Sequence, residues 1–200
     1  MLELSILCWV HKKSDGCTKQ LPLVLYVSFG SVCALTQQHI NELASDVDVK
    51  NDDPLEFLPH GFLERTKEQG LVITSWAPQT QILSHTSTGG CVTHCGWNSI
   101  VESIVAVVPM ITWPLCAKQR MNDALVTEGL KVGLRPKFRE TDGIVEKEEI
   151  ARVVKDLMLG DEGKGIHQRI GKLKDAAADA LKEHGSSTRA LSQFGTDLEN

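Results

Sequence analysis

Between Cys91 and Gly129 the chain alternates twice between a short β-branched run and a helical pattern. CVTH (Cys91 to His94) precedes Asn98 to Ala106, and MIT (Met110 to Thr112) precedes Gln119 to Gly129, where glycine closes the second helix. Each intervening helix carries the chain back across a sheet face, so successive strands come to lie side by side in one direction. The expected fold class is therefore α/β, a Rossmann-like, mostly parallel sheet with flanking helices.

The flanks extend the pattern. LVLYVSFG (Leu23 to Gly30) reads as a buried strand that delivers a loop carrying Gly30 and Ser31, and Thr36 caps a following helix, QQHINELA. That helix stops early, near Ala44, and Ser45 to Pro59 reads as a long, polar, Pro-broken loop. LVIT (Leu71 to Thr74) is a further strand, with Pro78 suited to the first turn of a short helix through Leu83, and KVGLRP adds a last short strand. Helices are expected over 146–159 and 166–182, with Gly160 to Gly165 as the hinge between them, and a weaker one near 188–194. The N-terminal MLELSILCWVHKK lacks the flanks of a secretory signal and reads as a buried or frayed strand.

Bulk properties remove several classes of partner. With 42% apolar and 24% charged residues the chain has ordinary globular composition, and its net charge of −5 argues against nucleic acid or anionic membrane as a main partner. No apolar stretch approaches the roughly 20 residues that span a bilayer. The six cysteines (Cys8, Cys17, Cys33, Cys91, Cys95, Cys116) follow no disulfide framework and are read as free thiols in a reducing cytoplasm.

In open α/β sheets ligands bind at the carboxyl ends of the strands. That places Gly30 and Ser31, then Trp76, Ala77 and Gln79, then His94 to Ser99, then Trp113 to Gln119 around one crevice. Gly96 permits close backbone approach, and a helix starting near Asn98 offers free N–H groups and a positive dipole end to a diphosphate. Asn98 and Ser99 add side-chain donors; Glu102, one turn on, can accept from ribose hydroxyls; Trp76 offers a face for a base. Taken singly, Trp97 or Trp113 is more often filler, His94 an interior hydrogen-bonded group and Glu102 a solvated helix face. Their convergence on one end of the sheet favours a nucleotide. His85, Cys91, His94 and Cys95 lack the paired knuckles of a zinc site, and no dinucleotide or P-loop glycine motif follows a strand.

The block from Trp76 to Gln119, WAPQTQILSHTSTGGCVTHCGWNSIVESIVAVVPMITWPLCAKQ, resembles the donor-binding signature of plant family 1 UDP-glycosyltransferases, enzymes of GT-B fold. LYVSFGS, FLPHGFLERTKEQGLVITSWAPQ, MNDALVTEGLKVGLRPK and EIARVVKDLMLGDEGKG are similar to the C-terminal half of hydroquinone and monolignol-type glucosyltransferases. The resemblance implies that Trp76 stacks on uracil, the Ala77 backbone binds its edge, and Gln79 and Glu102 hold the ribose. Ser31, His94, Asn98 and Ser99 would bind the diphosphate, and Trp97 and Gln119 the glucose hydroxyls. UDP-glucose would be a co-substrate, with no resident cofactor or metal, and a small phenol the acceptor once an N-terminal domain supplies the catalytic base.

Two residues depart from the family pattern. Lys118 replaces an acidic residue that would accept two sugar hydroxyls, and Val107 stands where glycine usually precedes Val-Pro. The expected organisation is a divergent segment over 1–22, a UDP-sugar-binding domain over 23–160 with an internal deletion near 45–53 that removes the family's second strand, and C-terminal helices over 161–200. The leading expectation is the donor-binding part of a glucosyltransferase, inactive alone; the alternatives are a non-catalytic UDP-sugar-binding module and a non-functional truncated gene product.

Overall fold

A computed structural model describes residues 5–10, 23–30, 58, 61–73, 76–116 and 118–198, with the backbone alone at 5–10 and 195–198. Six strands form one sheet: β1 (Ser5–Val10), β2 (Leu23–Ser28), β3 (Gly70–Ile73), β4 (Thr88–Thr93), β5 (Met110–Thr112) and β6 (Gly133–Leu134), in the order β3-β1-β2-β4-β5-β6. The described helices are α1 (Phe62–Thr66), α2 (Gln79–Leu83), α3 (Trp97–Ala106), α4 (Gln119–Ala124), α5 (Lys147–Leu159), α6 (Asp161–Ala180) and α7 (Ser186–Leu198). The helix QQHINELA, the loop over 45–53 and Ser31 lie outside the described residues.

The body of the sheet is parallel, β2 to β4, β4 to β5 and β5 to β6. Its strands are buried on both faces, as helix-covered parallel strands must be: Leu25, Tyr26, Val27, Cys91, Val92, Met110 and Ile111 all belong to one core with Ile100, Val153, Leu157, Ile166 and Ile170 from the helices. β4 begins three residues earlier than its β-branched run suggests. A Cβ on Gly90 would stand 2.8 Å from Met158 Sδ and 3.0 Å from Leu157 Cδ2, so the glycine is where α5 lies against the strand.

One strand is not parallel. β1 lies between β2 and β3, antiparallel to both, so the N-terminal segment does form a strand, but inside the sheet. A gap between β2 and β3 would leave two rows of backbone donors and acceptors unpaired; β1 pairs both.

The expected hinge over Gly160 to Gly165 is also different. Only Gly160 is extended (φ −84°, ψ 166°), and α6 starts at Asp161, with Asp161 and Glu162 placed favourably in its first turn. Gly163 belongs to α6 because a Cβ there would collide with the Leu157 carbonyl oxygen; glycine lets the second helix fold tightly against the end of the first. After Ala124 the expected helix runs on as a π-helical turn, Leu125–Gly129, closed by Leu130 N–H to Leu125 O at 2.7 Å. Buried Asp123 takes Arg135 Nε at 2.6 Å and ties this segment to the end of β6.

Cysteine usage corrects the sequence reading. Cys91 and Cys95 are buried free thiols, but Cys116 is disulfide-bonded to a partner outside the described side chains. Sequence spacing carries no information about which loops meet at the end of the sheet, which is where Cys116 stands.

Val107 ends α3 with φ 59° and ψ 41°, a left-handed conformation that a β-branched side chain strongly disfavours. Val107→Gly is expected to stabilise the protein by about 1 kcal/mol, raising the thermal midpoint by roughly 2–4 °C. Val107→Ala, which removes the same packing but keeps a Cβ, should not give that gain; calorimetric melts of the three proteins check it.

Candidate functional site

The sheet register brings four strand ends level. Ser28 of β2 pairs with Thr93 of β4, and Thr93 with Thr112 of β5. On the other side Ser5 of β1 pairs with both Ser28 and Ile73. The chain leaves β2, β3, β4 and β5 at one edge, and a cleft of about 570 Å³ opens there. Of the residues expected to bind a nucleotide, Trp76, Ala77, Gln79, His94, Trp97, Asn98, Ser99 and Glu102 line it.

The floor of the cleft is the turn from β4 into α3. Cys95 adopts φ 64°, unusual for a residue with a side chain, and is held from two sides. Its N–H donates to Thr93 Oγ1 at 3.2 Å, and its carbonyl accepts from Asn122 Nδ2 at 2.9 Å. This conformation carries the backbone around so that Gly96, extended at φ −64° and ψ 139°, starts α3 toward the cleft. The N-cap of α3, Gly96, has no side chain to cap the helix, so its first N–H groups face the cavity with the positive end of the helix dipole behind them.

His94 stands between two glycines. A Cβ on Gly30 would lie 2.6 Å from its Cε1, and one on Gly96 would lie 2.5 Å from its Nε2. Gly30 also has φ 69°. The imidazole is half-buried, its Nδ1 makes no hydrogen bond, and burial lowers its pKa; the nearby Ser28 backbone opposes the shift only in part. It is therefore neutral near pH 7. The two adjacent thiols are also neutral, since burial pushes both Cys91 and Cys95 up to about 12, with Asp123 adding to the shift at Cys95.

A polar chain lines the opposite wall. Buried Tyr26 donates its hydroxyl to Gln79 Oε1 at 3.4 Å, and Gln79 Nε2 donates to Glu102 Oε2 at 2.7 Å and to Ser99 Oγ at 3.2 Å. Gln79 and Glu102 come from helices α2 and α3, and the bond between them fixes both rims. Above them Trp76 is 79% exposed and Trp97 56% exposed, two indoles whose faces are open to a ligand. Trp113, by contrast, is core, edge-on to Phe29 at 6.0 Å and to Phe138 at 5.8 Å.

Lys118 and Gln119 are not among the cleft's lining residues. Gln119 uses Oε1 to accept from the backbone N–H groups of Leu115 and Cys116 at 2.8 and 2.9 Å, and so closes its own loop. Lys118 is exposed at the N-terminal cap of α4. Sequence reasoning missed three positioning residues, Tyr26, Thr93 and Asn122. Tyr26 and Thr93 read as ordinary strand residues, and Asn122 as an ordinary helix residue 27 positions from its partner.

Residues 18–155 match the family described as UDP-glucoronosyl and UDP-glucosyl transferase. The chain is 50% identical to UDP-glycosyltransferase 72B1 of Arabidopsis thaliana over 84% of its own length and 40% of the relative's. It is 48% identical to hydroquinone glucosyltransferase of Rauvolfia serpentina over 88% of its length and 43% of that enzyme's. The solved structure of Phytolacca americana UGT2 with UDP-2fluoro-glucose and pterostilbene superposes with a TM-score of 0.77 at 48% identity, covering 88% of this chain and 42% of that one. The chain thus spans about two fifths of the length of these relatives, and the α/β sheet with its flanking helices is the C-terminal half of a GT-B fold.

The neutral, half-buried imidazole sets a pH dependence. Below the ordinary histidine pKa of about 6.5 the unfolded chain takes up a proton that folded His94 resists, so unfolding is favoured as pH falls through that value toward the lowered one. The thermal midpoint of the parent should drop between pH 7.5 and pH values below 6.5 more steeply than that of His94→Asn; equal slopes would show that His94 contributes nothing.

Proposed function

Because the chain belongs to the UDP-glucoronosyl and UDP-glucosyl transferase family, we propose that its cleft is the UDP-sugar site of a glucosyltransferase acting on small phenols. The observation that supports this best is the convergence of an open indole (Trp76), a bonded amide and carboxylate pair (Gln79 and Glu102) and an uncapped helix N-terminus beside His94. In this reading Trp76 stacks on uracil and the Ala77 backbone meets its edge. Gln79 and Glu102 take the ribose hydroxyls, the remaining lone pairs of the amide oxygen and of the carboxylate accepting from them. The N–H groups of α3, the side chains of Asn98 and Ser99, and Ser31 and His94 hold the diphosphate.

The reaction would invert the anomeric carbon. An acceptor hydroxyl, deprotonated by a base in the part of the relatives that this chain does not match, displaces UDP. Donors around the diphosphate stabilise the charge that builds on it as the glycosidic bond breaks. Trp97, Lys118 and Gln119 would stand at the sugar end. Residues 23–160 would form the donor-binding body, with 161–200 as C-terminal helices. The relatives' names support a phenolic acceptor: one is a hydroquinone glucosyltransferase, and the Phytolacca enzyme was solved with pterostilbene.

Calorimetric titration with UDP is expected to show one site, and Trp76→Ala should weaken it by roughly 1–3 kcal/mol, the range for loss of a base stack. A chain that melts cooperatively and gives no heat with UDP would overturn the reading. Mixed with UDP-glucose and hydroquinone, the isolated chain should form no glucoside.

Lys118 gives a separate prediction. An ammonium donates and cannot accept from sugar hydroxyls, so Lys118→Glu should tighten UDP-glucose binding while leaving UDP binding unchanged. Equal changes for both ligands would place residue 118 away from the sugar.

A further inference from the structure

We infer that β1 is the ruler that sets where Trp76 stands, and hence that the N-terminal strand is a positioning element of the nucleotide cleft. The inference rests on reading that cleft as a UDP-sugar site. Among the described residues β3 has one strand neighbour, β1, and lies at the edge of the sheet. The small cluster of Leu58, Phe62 of α1 and Val72 of β3 is separate from the main core. β1 is thus the strand through which this outer unit joins the parallel body.

The register makes the connection quantitative. Ser5 lies opposite Ser28 on one side and Ile73 on the other, so β1 levels the end of β3 with the end of β2. Trp76 follows Ile73 by three residues, and Gln79 by six. A two-residue slip of β1 against either neighbour keeps every side chain on its face but shifts the end of β3 by about 7 Å. Because Gln79 is bonded to Glu102, such a slip has to be taken up between Ile73 and Gln79, the stretch that carries Trp76. β1 runs antiparallel inside a parallel body, and its backbone pairing to β2 and β3 sets the level of one against the other.

Hydrogen exchange on the full chain tests this without any substitution. The amides of β1 and β3 should exchange together, faster than those of β4 and β5, and UDP should slow both sets. Protected β3 amides beside freely exchanging β1 amides would overturn the inference, as would UDP protection of β3 without β1. Leu7, opposite both Tyr26 and Leu71, gives a second test. Leu7→Pro removes a ladder donor from an interior strand and should weaken UDP binding about tenfold or more, the scale of one lost base stack, while Leu7→Ile binds as the parent does. Parent-like UDP affinity in a folded Leu7→Pro protein would overturn the inference; if that variant does not fold, the exchange result on the parent decides. A parent chain that fails to bind UDP would instead count against the nucleotide reading, and coupled exchange of β1 and β3 without ligand would still be observable.

Discussion

The left-handed turn at Cys95 is the constraint on which the rest of the cleft depends. One residue in that conformation reverses the chain between the end of β4 and the start of α3, and the reversal places the His94 and α3 side of the cleft. It leaves His94 on one side and the uncapped N-terminus of α3 on the other. A conformation of this kind costs on the order of 1–2 kcal/mol in a residue with a Cβ, and it persists because Thr93 and Asn122 each contribute a hydrogen bond to the Cys95 backbone. The closeness of His94 to Gly30 and Gly96 follows from the same turn: with the imidazole folded back, neither neighbouring backbone has room for a side chain.

Val107 carries similar strain at the other end of α3 without comparable support. The hydrogen bonds recorded for its backbone are those of an ordinary helix end, Val107 N–H to Ile104 O at 3.1 Å among them. Among the described residues no side-chain hydrogen bond holds it as Thr93 and Asn122 hold Cys95. The two ends of one ten-residue helix therefore differ in kind. At the N-terminal end strain is coupled to the placement of ligand-facing groups, which is where stored backbone strain has a use. At the C-terminal end it has no such role, and a glycine would relieve it at no cost to the site.

Much of the body was legible in the amino-acid order. β2, β5 and α3 follow from β-branched runs and helical spacing between glycines and prolines, and the rule that ligands bind at strand carboxyl ends located the cleft from those elements alone. What was not legible depends on contacts distant in sequence. The β-branched run starts β4 only at Cys91, because local propensity cannot register that Met158 and Leu157 pack over Gly90. The Gly160 to Gly165 stretch read as a hinge because only the collision with Leu157 O shows why Gly163 is helical. β1 read as a strand of undefined place, since period and composition say nothing of direction, and its antiparallel course follows from the vacancy it fills. Asn122 could be recognised only through Cys95.

The charge balance of the cleft explains what kind of anion it suits. Among the described lining residues there is no lysine or arginine; Glu102 is the one carboxylate, and His94 is neutral near pH 7. In the proposed reading a diphosphate here would be met by oriented dipoles, the N–H groups of α3 and the Asn98 and Ser99 side chains, which stabilise charge without long-range attraction. Such a site gains less from simple anions than a cationic one does, and Glu102 repels them outright. That repulsion is offset only when the ligand also carries hydroxyls for the carboxylate and an aromatic face for Trp76. If the cleft holds a UDP-sugar, this arrangement would discriminate against free phosphate and pyrophosphate by a physical means that a lysine-lined site would lack. It also suits a chain of net charge −5, whose overall field opposes anions and whose affinity must come from short-range, directional contacts.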